Sequence, residues 1–224
     1  MSWSMRRLPA GVSTRSVTVA ALAALALGVF GKIAEDVFHR ESTDFDRSAS
    51  LLVHRLDSPV ADFLMRLFSA AGSFPTVILV VVAVIAWSLH QHARAAAYVL
   101  CAVTATCEGL NTVLKLSFER ARPTLIREII TLHSYSFPSG HAMAVVAIYG
   151  TVAFILARQW PRAGRWISCI ALALILLVGL SRVFLGAHWV TDVLAGYAAG
   201  AFIMLAGILT LNLLADTPRA GRRP

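Results

Sequence analysis

Long apolar runs alternate with short polar segments along most of the chain. A helix needs roughly 20 mainly apolar residues to cross a bilayer, and six runs are about that long. Because a backbone in lipid must satisfy its own hydrogen bonds, such runs predict helices rather than strands. We therefore predict an all-α integral membrane protein, a bundle of six transmembrane helices forming one domain over residues 1–224. The predicted spans are about 16–34, 74–90, 95–115, 138–157, 165–182 and 188–214.

The segment 42–74, between the first two spans, has a different pattern. Apolar residues recur there at helical spacing in two sets: Ala49, Leu52, Val53 and Leu56, then Val60, Phe63, Leu64, Leu67 and Phe68. Ser58-Pro59 lies between the sets and is typical of a helix cap followed by a first-turn proline. The pattern predicts two short amphipathic helices, which either lie flat in the membrane interface or pack against the outer end of the bundle.

Composition agrees with a membrane protein. Hydrophobic residues make up 58% of the chain and charged residues 14%, against roughly 25% charged in soluble domains. The three cysteines, Cys101, Cys107 and Cys169, fall within apolar runs, where they are expected to act as small hydrophobes rather than as a disulfide framework. A cleavable signal is the alternative for the first run, since arginines precede it, but no clear cleavage pattern follows.

The distribution of arginine predicts the orientation in the membrane. Four segments rich in arginine, namely 1–16, 90–94, 158–165 and the C-terminal tail, alternate with the other connections. By the positive-inside rule they are cytoplasmic, so both termini lie in the cytoplasm and the 42–74 segment is extracytoplasmic at the plasma membrane. The net charge of +8 then reflects topology. Nucleic acid is not an expected partner, because the pattern leaves no basic domain outside the membrane.

Polar residues gather at the predicted extracytoplasmic ends of spans three to six. They are Lys115, Arg122-Pro123, Ser139-Gly140-His141, Ser181-Arg182, His188 and Asp192. Ionisable groups at membrane depth are costly and usually functional. The sequence therefore predicts one site built from four helix ends.

The first part of this site suits a phosphate group. Pro138 is suited to the first turn of a helix, which would leave the N–H groups of Ser139, Gly140 and His141 without intrahelical acceptors. A helix N-terminus of this kind binds phosphate. Three cations, Lys115, Arg122 and Arg182, would neutralise the phosphoryl oxygens.

The second part suits nucleophilic catalysis. His188 and Asp192 are spaced i, i+4, so we expect them on one helical face. The carboxylate would hold one imidazole nitrogen and leave the other to attack phosphorus. His141 would then protonate the departing oxygen.

Taken together, these residues read Lys115-x6-Arg122-Pro123, then Pro138-Ser139-Gly140-His141, then Ser181-Arg182-x5-His188-x3-Asp192. This pattern resembles the three-part motif of the type-2 phosphatidic acid phosphatase superfamily. The resemblance implies a six-helix membrane bundle in which His188 forms a phosphohistidine, Asp192 orients it and His141 is the acid. It also implies phosphate binding by Lys115, Arg122, Ser139, Gly140 and Arg182, with Pro123, Pro138 and Ser181 in support.

One position departs from this pattern. Many members carry Arg-Pro-Arg-Pro in the first motif, whereas this chain has Arg120-Ala121-Arg122-Pro123. The departure leaves the catalytic set intact and bears on the rigidity of the loop. Glu108 and Asn111, within the third span, are expected either to support the site or to form an interhelical hydrogen bond with Glu108 neutral; the second expectation is preferred.

The function expected from the resemblance is hydrolysis of a terminal phosphate from a lipid phosphate or diphosphate, without metal or other cofactor. Undecaprenyl diphosphate is the preferred substrate, because the site is predicted to face outward. Phosphatidylglycerophosphate and phosphatidate are alternatives. A vanadate haloperoxidase and a non-catalytic lipid-binding protein are more distant ones, and the pattern leaves the oligomeric state open.

Overall fold

The computed structural model of the protein describes residues 13–124 and 134–216. The helices in these ranges are numbered here in chain order. They are α1 (Thr14–Phe38), α2 (Thr43–His54), α3 (Pro59–Ala71), α4 (Phe74–His90), α5 (Arg94–Phe118), α6 (Gly140–Gln159), α7 (Gly164–Phe184) and α8 (Val190–Asp216).

The expected all-helical membrane bundle is confirmed, and the chain is a multi-pass membrane protein. Five of the described helices, α1, α5, α6, α7 and α8, are long and apolar enough to cross a membrane. The sixth, α4, has 17 residues and qualifies only together with α3, from which it is bent by 46°. The organisation of the whole chain as one domain stays a prediction.

The short helices α2 and α3 occupy the amphipathic segment. Ser58 caps α3, since its Oγ accepts a hydrogen bond from the Ala61 N–H at 3.2 Å, and Pro59 takes the first helical position. Much of the apolar face points away from the bundle, since Leu52, Leu56 and Phe63 are each about two-thirds exposed, whereas Val53 packs against the bundle. Exposure of this face suits a helix pair lying in the membrane interface rather than one packed on the bundle through these side chains.

Helix α6 lies at the centre of the bundle, and most of its residues are buried. Close approach of α8 to α6 depends on Gly196 and Gly200. A β-carbon at Gly196 would lie 2.7 Å from the Ser139 carbonyl oxygen, and one at Gly200 would lie 2.5 Å from that of Met143. Small residues four apart allow this kind of contact between membrane helices.

The middle of α6 contains a π-helical turn, Val145–Tyr149. The Tyr149 hydroxyl donates to the Ala71 carbonyl at 2.5 Å. This carbonyl lies at the end of α3, where the last carbonyls of a helix lack intrahelical donors. The π turn thus ties the central helix to the bend between α3 and α4.

The close contact at Gly200 leads to a prediction about the stability of the protein. Gly200→Ala places a methyl group against the Met143 carbonyl and should destabilise the protein by about 1–3 kcal/mol, which is typical of overpacking. Gly109→Ala in α5 is the matched control, because no atom lies within 4 Å of the place that its methyl group would take and alanine favours helix. Thermal unfolding in detergent compares the two. An equal midpoint for both variants would contradict the packing argument.

Candidate active site

Four helix ends meet around a cavity of about 200 Å³. Six of the residues predicted from the sequence line it: Lys115, Arg122, Gly140, His141, Arg182 and His188. Asp192 and Ser139 are fully buried behind this wall. The structure therefore brings together the eight residues expected to bind phosphate or to take part in catalysis.

The connection from α7 to α8 sets the spacing between Arg182 and His188. The Arg182 carbonyl accepts hydrogen bonds from the N–H groups of Ala187 at 3.1 Å and His188 at 3.2 Å. Gly186 has φ 68°, a left-handed conformation that suits glycine, and so lets the chain turn back. This tight turn brings the His188 imidazole to the cavity.

The orientation of His188 differs in part from the expected one. Its Nδ1 lies 2.8 Å from the Ser136 carbonyl oxygen, which can only accept a hydrogen bond, so Nδ1 carries the proton. The Asp192 carboxylate is farther away, with Oδ2 3.6 Å from Nδ1. The i, i+4 helical argument was wrong, because α8 begins at Val190 and His188 precedes it. The hydrogen-bonding partner that sequence reasoning missed is the carbonyl of Ser136.

The other ring nitrogen of His188 is suited to attack. Nε2 carries the lone pair and lies 3.4 Å from Arg122 Nη1. His188 lies outside the spanning helices, and burial holds the pKa of its imidazole below the ordinary value, although Asp192 acts in the opposite direction. A lowered pKa keeps the imidazole neutral, and a neutral imidazole is the nucleophilic form.

Asp192 is held at the first turn of α8. Its Oδ2 accepts from the Trp189 N–H at 2.9 Å, which is the backward bond of a capping box. Its Oδ1 accepts from Arg120 at 2.5 Å. A carboxylate near a helix N-terminus is also favoured by the helix dipole. Asp192 is therefore fixed and charged beside the imidazole.

The three predicted cations are held by neutral oxygen atoms. Lys115 Nζ donates to the Tyr135 carbonyl at 2.6 Å. Arg122 donates to the carbonyls of Ser134 at 2.7 Å and Ala187 at 2.5 Å.

Arg182 is buried, and one of its Nη atoms donates to the Ser69 hydroxyl on α3. Its Nε is buried without a hydrogen-bond partner in the described part of the chain. The guanidinium is thus fixed in place beside the cavity and retains donor capacity for an anion.

The start of α6 corrects two expectations. Ser139 is the N-cap and Gly140 the first helical residue, so Pro138 precedes the helix instead of occupying its first turn. The Ser139 N–H donates to the Asp192 carbonyl at 2.9 Å and is not directed to a ligand. Gly140 and His141 keep the first-turn N–H positions. The buried Ser139 Oγ has no partner among the described residues, so its hydroxyl can still contribute to an anion site.

The supporting positions differ from one another. Pro123 and Pro138 are buried beside the site. Ser181 bonds its own helix, because its Oγ donates to the Val178 carbonyl at 2.6 Å.

Glu108 and Asn111 line the cavity. Within the described residues they do not bond to a neighbouring helix, which was the preferred expectation. Their position fits the other expectation, that they support the site.

Three further residues, none of them among the predicted site residues, hold the site together. Arg120 bonds the Asp192 carboxylate, Asp46 on α2 bonds Arg120, and Ser69 on α3 bonds Arg182. The sequence signal for Asp46 was an acidic residue at helical spacing from the apolar residues Ala49 and Val53, but nothing in the pattern gave its distant partner. No group of three or more His, Cys, Asp or Glu side chains with metal-binding geometry occurs in residues 13–124 and 134–216.

The chain was compared with known proteins. Residues 95–214 match the family model for the PAP2 superfamily. A phosphatidylglycerophosphatase B from Bacillus subtilis is 40% identical over 97 residues, which cover 42% of this chain and 47% of that protein. An undecaprenyl-diphosphatase from Sulfolobus acidocaldarius is 35% identical over 74 residues, which cover 33% of this chain and 32% of that protein. The chain thus matches less than half the length of these curated relatives.

A solved structure extends the likeness over most of the fold. The crystal structure of a transmembrane PAP2-type phosphatidylglycerolphosphate phosphatase from Bacillus subtilis superposes with a TM-score of 0.80 at 26% identity. The superposition covers 89% of this chain and 98% of that one. The bundle and its order of helices are therefore shared with that protein.

The contact between Ser69 and Arg182 predicts weaker anion binding when it is lost. Ser69→Ala removes the hydroxyl that positions the buried guanidinium, so inorganic phosphate should bind about 3–10-fold more weakly, which corresponds to about one ordinary hydrogen bond. Ser117→Ala is the control, because that hydroxyl bonds the Val113 carbonyl of its own helix. Calorimetric titration with phosphate measures both. Unchanged affinity in Ser69→Ala would show that Arg182 needs no support from α3.

Proposed function

The chain belongs to the PAP2 superfamily, and we propose that it is a membrane lipid phosphatase that works through a phosphohistidine on His188. The observation that carries this proposal is the geometry of one side chain. Nδ1 of His188 is fixed by the Ser136 carbonyl at 2.8 Å, and Nε2 is left with its lone pair beside Arg122. That arrangement provides a neutral nucleophile next to a cation that can hold a phosphoryl oxygen.

The proposed reaction has two steps. Nε2 of His188 attacks phosphorus; the N–P bond forms as the P–O bond to the lipid breaks, and His141 gives its proton to the leaving oxygen. A water molecule then attacks phosphorus, and its proton passes to His141 while the N–P electron pair returns to Nε2. Lys115, Arg122 and Arg182 would neutralise the phosphoryl oxygens throughout, together with donors at the start of α6.

The substrate is proposed as a lipid phosphate or diphosphate whose tail remains in the bilayer. Undecaprenyl diphosphate was preferred from the predicted orientation of the site. The comparisons do not favour it over phosphatidylglycerophosphate, because relatives named for both activities match this chain. We therefore propose both lipids as candidate substrates.

The orientation is part of the proposal and rests on the arginine-rich segments. Both termini would lie in the cytoplasm at the plasma membrane, and the cavity would face the other side. A cysteine introduced at Arg162, between α6 and α7, should be labelled by a membrane-impermeant reagent only after the membrane is opened. Labelling in intact cells would contradict the proposed orientation and indicate the opposite one.

The substrate assay uses the purified protein in detergent with EDTA. We expect phosphate release from undecaprenyl diphosphate or phosphatidylglycerophosphate, with phosphatidate tested beside them. Release from none of the three would refute the lipid-phosphatase proposal. Bromination on addition of vanadate, without any phosphatase activity, would favour a haloperoxidase instead.

The nucleophile is tested by His188→Ala. Loss of the attacking nitrogen should lower kcat by at least about 10³-fold, because the covalent step has no substitute. Denaturing the wild-type protein in alkaline detergent during turnover with ³²P-labelled substrate should trap alkali-stable label on the protein, and later acid treatment should release it. His90→Ala, at the far end of α4, is the control and should retain activity. Turnover or trapped label in His188→Ala would show that His188 is not the nucleophile.

The acid is tested by His141→Ala and a series of phosphate esters with graded leaving groups. Protonation matters most when the leaving oxygen is basic, so loss of a general acid should cost about 10²–10⁴-fold with poor leaving groups and much less with good ones. His188→Ala supplies the comparison, because loss of the nucleophile should affect all esters. Equal losses across the series in His141→Ala would argue against proton donation by His141.

A further inference from the structure

Arg120 joins two buried carboxylates from different parts of the chain. One terminal nitrogen, Nη2, lies 2.6 Å from Asp46 Oδ2 on α2, and the other, Nη1, lies 2.5 Å from Asp192 Oδ1 on α8. Asp46 is 1% exposed and Asp192 is fully buried, whereas Arg120 is 16% exposed. A planar guanidinium with donors on both sides suits this bridge, because each nitrogen serves a different carboxylate.

The α2 carboxylate is also bound directly to α8. Asp46 Oδ1 accepts from the Thr191 N–H at 2.9 Å, and its Oδ2 accepts from the Thr191 hydroxyl at 2.6 Å. Arg120 Nη1 is 2.8 Å from the same hydroxyl. Asp46 therefore caps the first turn of α8 from another helix and at the same time holds Arg120.

Arg120 does not belong to the cavity wall. The side chains that line the 200 Å³ cavity include Arg122 but not Arg120, which bonds Asp192 Oδ1. Its hydrogen bonds to two carboxylates suit it to hold an acidic side chain rather than to receive an anion. Of these two arginines, only Arg122 lines the cavity that contains His188.

We propose that Arg120 is a positioning residue that acts through Asp192, and that Asp46 holds Arg120 in place. By binding Oδ1, Arg120 keeps Asp192 charged and leaves Oδ2 facing Nδ1 of His188 at 3.6 Å. The imidazole gains positive charge when Nε2 bonds to phosphorus, so a fixed carboxylate at this distance stabilises the transition state. This inference rests on the proposed function of His188.

The first test is a double-variant cycle between Arg120 and Asp192. Arg120→Ala should lower kcat about 100-fold, the cost of misplacing a group near the reacting atoms, and leave KM within about threefold. In an Asp192→Asn background the same substitution should lower kcat by less than about threefold, because residues that act as a unit are not additive. The proposal would be overturned if the two substitutions lowered kcat by independent factors that multiply in the double variant, or if Arg120→Ala changed only KM. Arg120→Lys should recover part of the lost rate.

The second test uses a matched pair of acids on α2. Asp46→Asn removes the charge that holds Arg120 and should lower kcat about 3–10-fold, as expected for weakening one charged hydrogen bond. Asp44→Asn on the same helix is the control, because Asp44 is exposed. Thermal unfolding of both variants separates folding from rate. A loss of stability in Asp46→Asn with unchanged kcat in the folded protein would reduce Asp46 to a structural contact.

A third test does not require turnover. Orthovanadate, which bonds to an imidazole nitrogen and mimics five-coordinate phosphorus, should bind Arg120→Ala about tenfold more weakly, whereas phosphate should bind almost equally well. Equal affinity for vanadate in wild-type protein and Arg120→Ala would overturn the inference. If the wild-type protein releases no lipid phosphate but shows this vanadate difference, the proposed function fails while the positioning by Arg120 stands.

Discussion

The site depends on how the charge of Asp192 is compensated, since this carboxylate has no exposed surface. An ion buried without a partner costs on the order of several kcal/mol. Arg120 and the Trp189 N–H occupy its two oxygens, while its backbone carbonyl accepts from the Ser139 N–H. Asp192 thereby fixes the first turn of α8, the start of α6 and the carboxylate edge that faces His188. The contacts that compensate this buried charge therefore also align the catalytic groups.

These contacts require α6 and α8 to approach closely. Gly196 leaves room for the Ser139 carbonyl, and Gly200 leaves room for that of Met143. Without this approach, the Ser139 N–H could not reach α8 at 2.9 Å. The glycines of α8 therefore connect packing within the membrane to the geometry at its edge, and the sequence offered only their four-residue spacing as a signal.

Sequence reasoning recovered the parts of the molecule that follow from residue type and local spacing. Apolar runs marked the spanning helices, and costly polar residues such as Lys115 and His188 marked the site. It missed contacts made by backbone atoms, because any residue carries a carbonyl like that of Ser136. It also missed Asp46, since a hydrogen bond to a residue more than 70 positions away leaves no periodic trace. Helical spacing gave the right pair, His188 and Asp192, for the wrong reason, because the helix starts between them.

The charges of the site separate into two groups with different consequences. Arg120 is matched by two carboxylates, so that group carries a net negative charge and is already complete. Lys115 and Arg182 make their hydrogen bonds with described residues to neutral oxygens, of a carbonyl and of a hydroxyl. Their positive charge is therefore available to a phosphate group, whereas that of Arg120 is not. A phosphoryl dianion that enters the cavity would compensate the positive charge of Lys115 and Arg182, as Arg120 compensates the negative charge of the carboxylates. The His188 imidazole lies between these two groups of charges.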